Sequence, residues 1–175
     1  MPVINAILSK NIIDRIRRTV NRHMRDGRIP VPETNPEFNW ALHCFELIQV
    51  SEIGWKPAGP VYPDGYLVLI GKEGEVRVGV EILQQGSQLH FSHSVQGAHL
   101  DELVAALNAA SLRYADEPQP VSLSIAGHFL TGNIIIAARV NGLTSCYRFA
   151  AEELMPVSDD KLVAELDALN ASRVV

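Results

Sequence analysis

The chain has 175 residues, 47% of them hydrophobic and 20% charged, with two cysteines and a formal net charge of −5. That length suits one compact domain able to bury roughly 70% of its unfolded surface, and the composition excludes a disordered, collagen-like or disulfide-scaffold protein. No apolar run reaches the ~20 residues that span a bilayer, and residues 1–5 lack the basic lead of a secretory signal, so the expectation is a soluble, cytoplasmic protein.

Charge is unevenly spread. Residues 1–28 hold seven basic side chains against two acidic ones, net +5, while the remaining 147 hold eight against eighteen, net −10. Such asymmetry suits an N-terminal arm that meets nucleic acid or lipid, and equally a helix lying on the acidic body of its own chain or of a partner subunit.

Residues 5–26 read as an amphipathic helix. Ile4, Leu8, Ile12, Ile16, Val20 and Met24 recur every fourth residue, and Gly27 follows as a stop. Pro30, Pro32 and Pro36 then rule out helix or central strand, so residues 28–36 read as an extended linker. The expected division is a basic helix and linker over residues 1–34 and one α+β domain over 35–175. Residues 36–49 read as a second helix, with Asn35 as cap and apolar residues almost all round. Such a helix needs cover on more than one side, which makes it the strongest partner-binding clue in the chain.

Strands follow. Residues 66–70 are a continuous apolar run, and Val76, Val78, Val80 and Ile82 alternate with polar or small residues. Residues 84–87 turn into a third strand ending near Val95. Residues 98–114 return to helical period, with Leu100, Leu103, Val104, Leu107 and Tyr114 on one stripe. A second, small-residue face carries Ala105, Ala109 and Leu112. Val121, Leu123 and Ile125 alternate with serines. Asn141-Gly142 marks a hairpin between residues 133–140 and 143–149, and a last helix is expected from Ser158 with Leu162, Val163, Leu166 and Leu169 inward. The order α-α-β-β-β-α-β-β-β-α predicts an α+β fold, an antiparallel sheet of about five to six strands with flanking helices. The sequence contains no internal repeat.

Motifs for chemistry are sparse. Cys44 and Cys146 lack metal or redox spacing and read as buried thiols. On a regular strand His90 and His93 point to opposite faces, so they share an ion with each other or with His99 only if a bulge intervenes. Cys44 with His128 is a remote pair without a motif, and the adjacent acids Glu152-Glu153 and Asp159-Asp160 suit helix termini and solvation. Hydrolase, zincin, P-loop and dinucleotide motifs are all missing.

The element order from residue 36 onward, the helix over 103–112, the alternating strand 121–125 and the run Asn133-Ile-Ile-Ile-Ala-Ala138 together resemble the class I chaperones of type III secretion. The resemblance covers about 130 residues by topology and about 40 by pattern. It implies a cytoplasmic homodimer, without enzyme activity or cofactor, that keeps a segment of a secreted effector extended and ready for export. It also implies a dimer contact through Leu103, Leu107 and Leu112, and client pockets on Phe38, Leu42, Phe45 and Ile48. The basic first helix lies outside the family pattern, and as a lid over the client site it would make deletion of residues 1–30 raise client affinity. The alternative function is an immunity or inhibitor protein that neutralises a toxin domain by direct binding, where an acidic body suits a basic partner. Nucleic-acid binding through the Arg-rich first helix is a further alternative.

Overall fold

A computed structural model describes residues 8–30, 41–48, 63–72, 75–126, 134–158, 160, 161 and 164. Helix α1 (Lys10–Arg25) precedes four strands, β1 (Ala41–Ile48), β2 (Pro63–Lys72), β3 (Glu75–Gln85) and β4 (Gln88–Val95). Helix α2 (Ala98–Arg113) precedes four more, β5 (Val121–Ala126), β6 (Ile134–Val140), β7 (Leu143–Ala150) and β8 (Glu153–Val157). The fold is α+β. All eight strands join one sheet in the order β4-β3-β2-β1-β5-β6-β7-β8.

Neighbouring strands are antiparallel except at the centre, where β1 and β5 run parallel. Read outward from that pair, the sheet is two four-strand meanders, each preceded by a helix, with α2 as the crossover that a parallel junction requires. The helices lie on opposite faces. Helix α1 covers Cys44, Tyr66, Val68, Ile70, Val78, Val80 and Ile82 with Ile16, Val20 and Met24, and Ile29 just past its end joins the same cluster. Helix α2 covers Phe45, Leu47, Leu67 and Leu69 of the first meander together with Leu123, Ile136 and Phe149 of the second. The chain thus repeats a helix-and-four-strands plan that its sequence does not display.

Local signals explain most elements. The Ser9 hydroxyl accepts from the Ile12 N–H at 3.3 Å and caps α1. The helix ends where Asp26 N–H returns to the Arg22 carbonyl and Arg28 N–H to that of His23. Asn141 and Gly142 take φ of 50° and 78°, as a two-residue hairpin turn needs, and close the pair Val140–Leu143. Alternation sends Val121, Leu123 and Ile125 to the α2 face, all buried.

Three expectations are corrected. The sheet is mixed and has eight strands, not an antiparallel five or six. Residues 41–48, expected within a second helix, form β1. This strand lies mid-sheet with a helix over each face, so Cys44 on one side and Phe45 and Leu47 on the other are all buried. A run apolar on both faces carries no period to separate strand from helix. Strand β8, whose first residue Glu153 was expected to serve a helix terminus, is a five-residue edge strand that holds Pro156, too brief and without the alternation that announces a strand. Within α2, Ala106 and Ala110 are buried beside Leu100, Leu103 and Leu107, while Ala105 is exposed. Of the closing helix, Asp160, Lys161 and Ala164 are helical, and its apolar stripe lies outside the described residues.

Candidate functional site

Unneutralised charge concentrates on α1. With Ile16, Val20 and Met24 turned to the sheet, Arg15, Arg18, Arg22 and Arg25 follow one another at three- and four-residue spacing along the outer side. The Arg15 guanidinium donates to the Ser87 carbonyl and ties the helix to the β3–β4 turn. Arg18 donates through Nε to the Asp14 carbonyl of its own helix at 3.3 Å. Among the described residues, no carboxylate lies within ion-pair distance of Arg17, Arg18, Arg22 or Arg25.

These arginines line an open groove between α1 and the start of β4, about 470 Å³ in volume. Arg15, Arg18, Thr19 and Arg22 form one wall, and Ser87, Gln88, Leu89 and His90 the other. A second hollow of about 450 Å³ shares Arg18 and Arg22 and continues to Arg25. Further along the helix the His23 ring stacks on Phe91 of β4, centroids 4.8 Å apart and planes 28° from parallel. Burial first, and the Arg28 charge second, lower the His23 pKa below its usual 6.5, so the ring is neutral at pH 7.

Beneath the helix, the Tyr66 hydroxyl donates to Gln84 Oε1 at 3.2 Å. Glu46 stands opposite Tyr66 in the β1–β2 register, and burial raises its pKa above the usual carboxylate value. Burial likewise pushes the Cys44 thiol up to about 11, against a smaller opposing pull from Arg17. A thiol held protonated and covered is a poor nucleophile. His128, its expected remote partner, lies outside the described residues.

The histidines behave differently from the expectation for a regular strand. A β-bulge leaves Ser92 unopposed, so His90 pairs with Leu83 and His93 with Glu81, and the two rings share one face. The His93 Nε2 is 3.9 Å from the buried Glu81 carboxylate. His99 is exposed on α2, and among the described residues no three His, Cys, Asp or Glu side chains gather at metal-binding distance.

Of the expected interface residues, Leu103 and Leu107 are buried against the chain's own sheet, and Leu112 stands 69% exposed at the end of α2. Phe45 is 2% exposed, in the core under α2. Leu42 and Ile48 belong to β1 with side chains outside the described set, and Phe38 lies outside the described residues altogether. A first helix lifting away as a lid would uncover the seven sheet residues under α1. Sequence reasoning located the arginine helix through its charge. It did not reveal that this helix runs beside a sheet edge, because no local pattern tells an edge strand from its neighbour.

No helix among the described residues is long and apolar enough to cross a membrane. Compared with protein families, curated proteins and solved structures, the chain matches none.

Proposed function

We propose that the chain is a non-enzymatic binding protein of the secretion-chaperone kind, which holds an extended segment of a client polypeptide as an added strand on the outer edge of β4. The supporting observation is the contrast between the two ends of the sheet. Strand β8 is five residues long and carries Pro156, a residue without an amide donor, which guards an edge against further pairing. Strand β4 is eight residues long, contains no proline, and among the described residues pairs only with β3.

The register says which backbone groups are offered. Gly86-Ser87 is a two-residue turn closed by the pair Gln85–Gln88, and in such a hairpin the closing pair exchanges both hydrogen bonds. Alternation then aims the amides and carbonyls of Leu89 and Phe91 outward. An extended peptide gains affinity from such groups and specificity from alternate side chains.

Panning a random ten-residue peptide library on the full chain tests this. Enriched peptides should favour β-branched residues at alternate positions, and N-methylation of alternate amides should abolish their binding. Leu89→Pro in the protein should abolish it too. Binding that survives N-methylation, or no enrichment at all, would overturn the proposal. An inhibitor of a folded toxin, which works through a surface and not a backbone edge, belongs to the second outcome.

A further inference from the structure

Helix α1 does more than cover the sheet: it runs alongside the offered edge, in step with it. Arg15 meets Ser87, and eight residues later His23 meets Phe91, four residues further along the strand. Eight helical residues advance about 12 Å at 1.5 Å each, and four strand residues advance about 13 Å at ~3.3 Å each. The two elements therefore point the same way. Arg18 and Arg22, about 6 Å apart along the helix axis, are strung out beside β4 over the stretch whose backbone faces outward.

A strand added at that edge places every second side chain on the α1 face, at a repeat of about 7 Å. That repeat matches the arginine spacing. We infer that the client segment carries carboxylates at alternate positions, an acidic-x-acidic pattern that meets Arg18 and Arg22; this rests on the strand-addition reading of β4 given above. Both guanidiniums are exposed and lack an ion-pair partner among the described residues, so they are open to one from outside.

An acidic polypeptide fits better than a nucleic acid, although both are anionic. A nucleic acid cannot use the outward amides of Leu89 and Phe91 as a pairing strand does. Single-stranded forms also draw on stacking platforms, and Phe91, the aromatic of β4, is already stacked on His23. Beyond residue 28 the chain is net negative by ten charges, which repels a long polyanion and leaves attraction confined to one short groove.

Three ten-residue peptides test this on the full chain: alternating Glu and Val, alternating Gln and Val, and alternating Lys and Val. Expected is binding in the order Glu, Gln, Lys, with the Glu/Val affinity falling as salt rises. Arg18→Glu combined with Arg22→Glu should weaken the Glu/Val peptide about tenfold and strengthen the Lys/Val peptide. Exposure of both residues keeps the fold out of the result, which unchanged thermal melting verifies. Equal binding of all three peptides, sensitive to N-methylation, would overturn the acidic preference while leaving strand addition standing. No binding by any of them would remove both. Tighter binding of a ten-nucleotide single-stranded DNA than of Glu/Val would overturn the inference in favour of nucleic acid. Self-association lost with the double Arg variant would overturn it in favour of a second copy's acidic body.

Discussion

The half of the chain from α1 to β4 and the half from α2 to β8 share one plan, a helix followed by a four-strand meander, yet they divide the work differently. Helix α2 reaches across the junction, packing against Phe45, Leu67 and Leu69 of the first meander as well as Ile136 and Phe149 of the second. Helix α1 stays on its own meander, and the side it does not bury is lined with arginine where α2 carries Asp101, Glu102, Asn108 and the exposed Leu112. The ends of the two helices echo this. His23 stacks flat on Phe91, whereas Tyr114 hydrogen-bonds Tyr147 oxygen to oxygen at 2.7 Å, with the Arg113 guanidinium 4.6 Å above the Tyr147 ring. A protein that repeats a unit can spend one copy on holding the sheet together and leave the other free to present charge beside an open edge.

Truncating a central residue of each helix gives the largest contrast. Leu103→Ala should cost about 4 kcal/mol, since this fully buried residue joins both meanders and its cavity cannot collapse toward one side. Ile16→Ala, equally buried but within one meander, should cost about 3 kcal/mol. Urea titrations with a far-ultraviolet signal measure both. Equal losses from the two variants would mean that α2 is no more central than α1.

The cysteines then report which half opens. Cys44 lies in the cluster under α1, Cys146 on the strand β7 of the other meander, and both are buried thiols. With its thiol pushed up to about 11 by burial, Cys44 should resist thiol reagents in the native state at pH 8. Ile16→Ala should speed Cys44 labelling about tenfold by local opening and leave Cys146 unchanged. If both accelerated together, the halves would open as one unit.

How much of this the sequence disclosed follows the same division. Elements with a local signal announced themselves: α1 by its fourfold apolar spacing, β3 by valines alternating with polar or small residues, the β6–β7 hairpin by Asn141-Gly142. What stayed hidden is set by long-range arrangement. Residues 41–48 are apolar on both faces only because helices lie above and below β1, and the parallel β1–β5 contact joins residues some eighty positions apart. The bulge that brings His90 and His93 to one face also has no signature in the local sequence. For the groove, one wall was legible as charge, while the other, the edge of β4, is defined by what does not pair with it.

Acid should separate the halves by a smaller margin. Because the folded pKa of His23 lies below its usual 6.5, the fold favours the neutral ring; its contribution is present above pH 6.5 and is lost as pH falls below that value. Glu46 has the opposite sign. Its folded pKa is raised, so stability is greatest below about 4.5 and is lost as pH climbs through the folded value, which makes Glu46→Gln stabilising at pH 7. Burial, and then its hydrogen bond to Tyr147, raise the Tyr114 hydroxyl at the end of α2 further above this window. Hydrogen exchange should therefore show the last turn of α1 losing protection between pH 7 and 5 while α2 keeps it. His23→Phe, which keeps a ring on Phe91, should abolish that loss, and its persistence in the variant would show that another group drives it.

The outer turns give the finest comparison. The β3–β4 turn places Gly86 at φ 60°, a conformation glycine adopts without strain. The β7–β8 turn puts Ala151 and Glu152 at φ 51° and 63°, where a side chain crowds its own backbone at about 1 kcal/mol per residue. Gly86→Ala should thus destabilise and Ala151→Gly stabilise, each by about 1 kcal/mol, with part of the second gain offset by the greater freedom of glycine in the unfolded chain. The sign matters more than the size. The first turn is relaxed and feeds the edge strand offered to a partner, whereas the second is strained and leads into an edge closed by Pro156. If Ala151→Gly left thermal melting unchanged or lowered it, the strain assigned to the second turn would be wrong, and with it the contrast between a turn shaped for presentation and one that merely ends the sheet.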